Sequence, residues 1–270
     1  MRVVVHVSDL HFGRIDPAAL PALAHAISSA QPDAVVVSGD LTQRALRREF
    51  IEARAFLDSL PFPKIVVPGN HDIPLFDLMS RSLRPLARYK QHIDEETEPF
   101  FADDEISIAG INTARSLTIS GGRISKQQMA RVCHRFGSTT ADSTRIVVTH
   151  HPFDLPSRVK FKSLVGRARL AIDAFASCRV DIVLSGHMHV GGADASTVRY
   201  KTPGHSMLLV QAGTGSSSRL RGEANSCNII RIDRPRIEIE RLAWDDKSGD
   251  FARAGGDAFV LSESGWARAR

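Results

Sequence analysis

The 270-residue sequence predicts an α/β protein with two sheets sandwiched between helices, and three observations carry that expectation. Short β-branched runs alternate with amphipathic stretches over the first 190 residues. After residue 190 the amphipathic stretches cease, and strand-like segments follow one another across short turns. Polar residues gather where the early apolar runs end, as they do at the ligand-binding edge of an open α/β sheet.

In chain order, Val3–Val7, Ala34–Val37, Ile65–Val67, Ile106–Ile111, Ile146–Val148 and Ile182–Leu184 read as largely buried strands, being apolar runs too short for helices. Between them, Pro17–Ala30, Arg44–Leu60, Ser125–Phe136 and Ser163–Ala176 read as helices. Asp16 stands where an N-cap would precede a proline at the first helical position. Leu46, Phe50, Ala53 and Leu57 recur at the spacing of one helical face able to pack on a sheet. Ser196–Lys201, Met207–Gln211, Ser226–Asp233 and Arg236–Trp244 read as consecutive strands, with turns at "TPGHS", "GTGSSSRLRG" and "DRP". No repeat or linker divides the chain. Residues 1–245 are expected to form the one domain, and 246–270 a C-terminal tail with little pattern beyond "AFVLS".

A hydrophobic content of 43% and a charged content of 24% are ordinary for a soluble globular protein. The net charge of +5 favours anionic ligands such as phosphates or nucleic acid, but the basic residues are dispersed, so charge alone selects no substrate. Cys133, Cys178 and Cys227 are odd in number, widely spaced and without a CxxC pair. The expectation is therefore reduced thiols in a cytoplasmic protein. No apolar run has the length of a signal-peptide core or a membrane span.

The residues able to do chemistry sit after the predicted strands. The first strand runs into Asp9 and His11, the second into Asp40, and the third into Asn70, His71 and Asp72. The fifth meets His150 and His151, and the sixth His187 and His189. Two carboxylates, an amide and several imidazoles without a thiolate suit Mn, Fe, Co or Zn and argue against calcium. The set exceeds the needs of one tetrahedral ion; two ions sharing a carboxylate would use it, an arrangement that activates water against phosphate esters. His6, among valines, reads as a satisfied core histidine. His25, His92, His134 and His205 have no partner pattern. "GTGSSSRLRG" lacks a P-loop lysine and reads as a flexible turn. Arg219 and Arg221 within it, and Arg115 after "GINTA", are candidates to reach a substrate phosphate.

In this order, "DLH", "GD", "GNHD", "HH" and "GHMH" resemble the signature of the calcineurin-like metallophosphoesterases, from Asp9 to His189. The resemblance implies a four-layer αββα sandwich. It also implies one metal on Asp9, His11, Asp40 and His189, and a second on Asp40, Asn70, His150 and His187, with Asp40 bridging. His150 is the implied ligand of the "HH" pair, and His151 orients the loop. His71 would contact the phosphoryl oxygen or protonate the leaving oxygen, and Asp72 would fix its tautomer. The implied reaction is in-line attack by a metal-bound hydroxide. Gly69 would permit the close turn after its strand.

Within the family, "GDLTQRA" and "GNHD" depart from the protein-phosphatase elements "GDxxDRG" and "GNHE". Compact length and "GNHD" look like the bacterial cyclic-nucleotide and glycerophosphodiester phosphodiesterases, so a small phosphodiester is the first expectation. A phosphomonoesterase remains open, since one bimetal site serves both. A nuclease of the SbcD type suits the charge but lacks an accessory arm and exposed aromatics. A lipid-linked pyrophosphatase would need an apolar lid, for which "PLFDLMSRSLRPLARY" is the one candidate. The reading from a different class, a metal-free protein-binding scaffold, is disfavoured because every donor position is filled. Homo-oligomerisation is left open by the segment after Arg199.

Overall fold

Valine- and isoleucine-rich runs form strands buried on both faces, and these fix the layers of the molecule. The computed structural model describes residues 1–155, 164–200, 205–218 and 223–269. In chain order come β1 (Arg2–Val7), α1 (Ala19–Ser29), β2 (Ala34–Val37), α2 (Arg47–Asp58) and β3 (Lys64–Val66). The short helices α3 (Leu78–Leu83) and α4 (Ala87–His92) follow, then β4 (Phe100–Ala102), β5 (Ile106–Gly110), α5 (Lys126–Gly137), β6 (Thr144–Val148), α6 (Ala168–Ser177) and β7 (Ile182–Ser185). The remainder is β8 (Gly192–Ala195), β9 (Leu208–Gln211), β10 (Ser226–Asp233), β11 (Arg236–Asp245), β12 (Asp250–Ser262) and β13 (Gly265–Arg268).

The strands make two sheets, ordered β13-β12-β11-β10-β1-β2-β3 and β4-β5-β6-β7-β9-β8. β1, β2 and β3 run parallel, as do β5, β6, β7 and β9, whereas β10 to β13 form an antiparallel meander beside β1. Three apolar layers alternate with them. One packs Leu23 and Ile27 of α1 and Phe50 and Leu57 of α2 against the first sheet. Another fills the space between the sheets with Val4, Val36, Ile108, Ile146, Ile230 and Trp266. The last packs Val132 and Phe136 of α5 and Ile172 and Phe175 of α6 on the second sheet. This is the four-layer αββα sandwich.

Side chains pin the chain just ahead of α1 and α2, whose N-cap positions are Ala18, not the expected Asp16, and Leu46, and they cap α5 directly. Asp16 accepts from the Ala18 N–H at 2.9 Å, and Glu49 accepts from the Arg44 and Leu46 N–H groups at 2.9 and 3.2 Å. Ser125 and Gln128 cap α5 reciprocally. In β1, His6 is buried with Nε2 at 2.9 Å from Ser38 Oγ.

Three expectations are corrected. The strand expected at Ser196–Lys201 is a 3-10 turn over Ser196–Val198, because the Ser196 carbonyl accepts the N–H groups of Arg199 and Tyr200. The ladder with β9 is instead made by the weakly strand-forming Gly192–Ala195; Lys201 lies outside the described residues. The segment read as a tail forms β12 and β13, since pairing with β11 overrides its glycine- and alanine-rich composition. The cysteines expected as reduced thiols include a disulfide, Cys133–Cys178, because α5 and α6 lie side by side with those Cα atoms 5.4 Å apart. That bridge removes the thiol argument for a cytoplasmic setting. Among the described residues no helix is long and apolar enough to cross a membrane.

Candidate metal centre

The candidate donors follow the carboxyl ends of β1, β2, β3, β6 and β7, so both sheets contribute to one face. Five of them occupy the left-handed backbone region: Asp9 (φ 53°), His11 (52°), Asp40 (52°), His187 (70°) and His189 (60°). That region is uncommon for residues with a side chain, though Asp and His tolerate it better than most. Such local strain persists only where surrounding structure enforces it, and it marks functional turns. Gly69, expected to serve a tight turn, is required by clearance: a Cβ there would lie 2.1 Å from Asp40 Oδ1. At Gly186 a Cβ would lie 1.8 Å from Ser8 Oγ and 2.6 Å from Asp9 Oδ2.

Two donor groups result. In the first, Asp9 Oδ1 lies 3.3 Å from His189 Nε2 and 3.6 Å from His11 Nε2. In the second, His150 Nε2 lies 3.4 Å from Asp40 Oδ1, 3.1 Å from Asn70 Oδ1 and 3.3 Å from His187 Nδ1. Asp40 faces both, its Oδ2 being 3.9 Å from His11 Nε2. The outer nitrogens are anchored: His150 Nδ1 is 2.8 Å from the Ser38 carbonyl, and His189 Nδ1 is 2.8 Å from Thr214 Oγ1. The Ser38 carbonyl can only accept, so His150 carries a proton on Nδ1 and turns Nε2 inward, where its lone pair would serve a cation.

These residues fit cations. Asp9 Oδ2 accepts from Ser8 Oγ and the His187 N–H, but Asp9 Oδ1 and both His11 nitrogens are buried with no hydrogen-bond partner among the described residues. Buried polar atoms without partners are rare in native folds, and an ion would answer for Asp9 Oδ1 and for His11 Nε2, which face each other at 3.6 Å. Asp9, His11 and His189 have ligand atoms within 4.8 Å of one another, as do Asp40, His150 and His187. His11, Asp40 and His71 form a third such group.

Burial opposes ionisation of Asp40, yet the imidazoles of His150 and His71 hold its carboxyl well below the ordinary range. Asp9 is likewise depressed against its burial, chiefly by His189 and His11. Burial also opposes a charge on His150, but Asp40 pushes it up to about 9. Without cations, protons on imidazole thus offset the carboxylates. Burial keeps His151 well below the ordinary range, reinforced by His150 and His187.

His71 is half-buried at the edge of this cluster, with Nδ1 2.8 Å from the Gln43 carbonyl. Asp72, expected to orient it, turns the other way. It accepts the N–H groups of Leu41, Thr42 and Gly69 and the Thr42 hydroxyl, bracing the loops after β2 and β3. Burial and the Asp40 charge raise Asp72 to about 6 despite those donors. His151 meets Thr113 Oγ1 at 2.8 Å and ties down the loop after β5. Arg115 donates to the Arg123 carbonyl and Gln128 Oε1, holding its own loop. Arg219 and Arg221 lie outside the described residues. Their loop, read as flexible, is docked over its described part: the Gly215 N–H donates to the Ser8 carbonyl and Ser216 Oγ to that of Leu10. Ser38, Gln43 and Thr214 went unread because one carbonyl or hydroxyl among many has no spacing signature.

A cavity of about 380 Å³ opens beside the centre, lined by Asn70, His71, Gln43, Arg44, Phe76 and Ile119 among others. Residues 2–191 match the family described as calcineurin-like phosphoesterase. The chain is 37% identical over 83 residues to the glycerophosphodiester phosphodiesterase GpdQ of Enterobacter lignolyticus, covering 26% of this chain and 29% of that protein. It is 25% identical over 232 residues to a transmembrane protein with a metallophosphoesterase domain from Danio rerio, covering 78% of this chain and 48% of that one. The chain thus spans less than half the length of these two relatives. It is also 25% identical over 206 residues to a probable cyclic nucleotide phosphodiesterase of Synechococcus, covering 69% and 72%. Among solved structures, a dimetal phosphatase from Danio rerio superposes with a TM-score of 0.70 at 13% identity, over 97% of this chain and 99% of that one. The purple acid phosphatase of yellow lupin gives 0.71 at 15% identity, over 95% and 53%. At such identities the two structures speak for the fold alone.

Proposed function

The chain belongs to the calcineurin-like phosphoesterase family, and on that premise we propose that it hydrolyses small phosphodiesters of the cyclic-nucleotide or glycerophosphodiester kind. The observation that carries the reading is Asp40, whose two oxygens face separate His-containing donor groups. Asp9, His11, Asp40 and His189 would hold one cation, and Asp40, Asn70, His150 and His187 a second. Mn, Fe, Co or Zn in these positions would neutralise phosphate charge and lower the pKa of water.

The side chains supply the rest. Asn70 adds an oxygen donor without adding negative charge, and its Nδ2 donates to the Ile119 carbonyl at 3.2 Å, which fixes Oδ1 toward His150. His71 turns Nδ1 to the Gln43 carbonyl and lines the cavity, so Nε2 is the nitrogen that would pass a proton to the departing alcohol oxygen. Arg44 lines the same cavity and offers a fixed positive charge. In the net reaction water oxygen bonds to phosphorus, the ester P–O bond breaks, and the alkoxide leaves protonated. The names of two relatives support the diester over the monoester.

The test compares bis(p-nitrophenyl) phosphate with p-nitrophenyl phosphate, using chelator-stripped protein with and without each metal. Metal-restored hydrolysis favouring the diester is expected. Faster hydrolysis of the monoester would reverse the substrate assignment, and inactivity with Mn, Fe, Co and Zn would favour a binding scaffold.

A further inference from the structure

The geometry points to a substrate whose ester substituent is an aliphatic chain, bound along an apolar rim at residues 75–83 and 117–119. This rests on the phosphoesterase reading and narrows it toward diesters carrying an alkyl or acyl group. Of the fourteen large apolar side chains exposed among the described residues, seven lie in these two segments. Scattered exposed apolar residues need no explanation, whereas a contiguous patch marks a contact site.

The rim is continuous with the metal centre, since Leu75, Phe76 and Ile119 line the same cavity as Asn70 and His71. In the same two segments, α3 exposes Leu78, Met79 and Leu83, and the segment before Ile119 exposes Leu117. Asn70, His71, Gln43 and Arg44 thus share one cavity with Leu75, Phe76 and Ile119, a mixed lining that suits an amphiphile with a phosphate headgroup. The walls are held in place: the buried Arg81 guanidinium donates to the Pro74 carbonyl at 3.0 Å and to the Thr118 carbonyl at 2.5 Å, linking one to the other. Asp77 caps α3 through the Ser80 N–H and also accepts from Arg88. Arg44, which lines the cavity together with Arg81, lies 5.9 Å over the Phe76 ring. Phe76 is the one aromatic among the seven, so the wall suits a flexible chain better than a nucleobase, which would need stacking and hydrogen-bonding partners.

The test uses the manganese-loaded full chain with ethyl and hexyl p-nitrophenyl phosphate, below micelle-forming concentrations. In both, water oxygen bonds to phosphorus and p-nitrophenolate leaves. Partial burial of four added methylenes raises kcat/KM for the hexyl ester about tenfold, chiefly through KM. The Leu78→Ser/Met79→Ser double variant lowers the hexyl-to-ethyl ratio about threefold or more, and the ratio is internal to each protein, so partial misfolding cancels. Calorimetry with hexylphosphonic against ethylphosphonic acid gives an independent readout: tighter binding of the hexyl compound with a more negative heat-capacity change. Equal kcat/KM for the two esters overturns the inference while leaving the phosphoesterase reading intact. Hydrolysis of neither, with Mn, Fe, Co or Zn supplied in turn, overturns that reading instead. A ratio unchanged in the double variant removes the chain from this rim, and cosedimentation with phosphatidylglycerol vesicles at a ratio near one makes the rim a membrane contact.

Discussion

The two halves of the first sheet use the same ladder for different ends. β1, β2 and β3 are short and parallel, and Asp9, His11, Asp40 and Asn70 follow them, three in left-handed backbone. β10, β11 and β12 are longer, run antiparallel with the short β13 beside them, pair almost without interruption, and carry none of the candidate donors. Strained turns are tolerable at the ends of β1 and β2 because the sheet beside them is regular and its inner face is packed. A functional edge and a stabilising flank are thus separable within one sheet.

That separation predicts which substitutions affect activity and which affect stability. The largest effect is at the bridge. Asp40→Ala is expected to lower kcat/KM by about 10³-fold or more, as losses of preorganised charge stabilisation do, and to reduce metal bound per chain as counted by elemental analysis. Next, Trp266→Ala on β13 is expected to destabilise the fold by about 3–5 kcal/mol in denaturant unfolding, since a wholly buried indole leaves a cavity. The remaining folded molecules should keep their metal content. His71→Ala is expected to lower kcat by about 10²-fold with metal content unchanged, the scale of a lost general acid. A fall in bound metal instead would make His71 a ligand. The smallest effect concerns Asp181. Burial would raise its pKa, but His205, the Arg145 N–H and Trp266 Nε1 outweigh burial and hold it below the ordinary range. A depressed carboxylate contributes stability above its unfolded pKa of about 4 and loses it as pH falls through the folded value. Melting temperatures measured from about pH 6 to about pH 2 should fall less steeply for Asp181→Asn than for the parent. Equal slopes would show that the network carries no acid-sensitive stability.

The functional half was far more legible in the sequence than the flank. A β-branched run ending in Asp, His or Asn is a local signal, and five such endings converge because parallel strands put their carboxyl ends at one edge. The C-terminal strands are set by partners instead: "ARAGGDAF" becomes strand because β11 lies beside it. Asp72 was misread because sequence adjacency to His71 does not make two side chains face each other, and the turn sends them opposite ways. Cys133 and Cys178, 45 residues apart, meet only because two helices pack on one sheet. Thr214 reaches His189 from a loop whose composition says turn and nothing more.

The strand order has a consequence for synthesis. All seven candidate donors have been translated once His189 is made, but the neighbour of β1 on its other side, β10, begins at Ser226. β13, whose Trp266 N–H donates to the Ser206 carbonyl, comes later still. A nascent chain therefore holds every candidate donor before it holds the framework that spaces them.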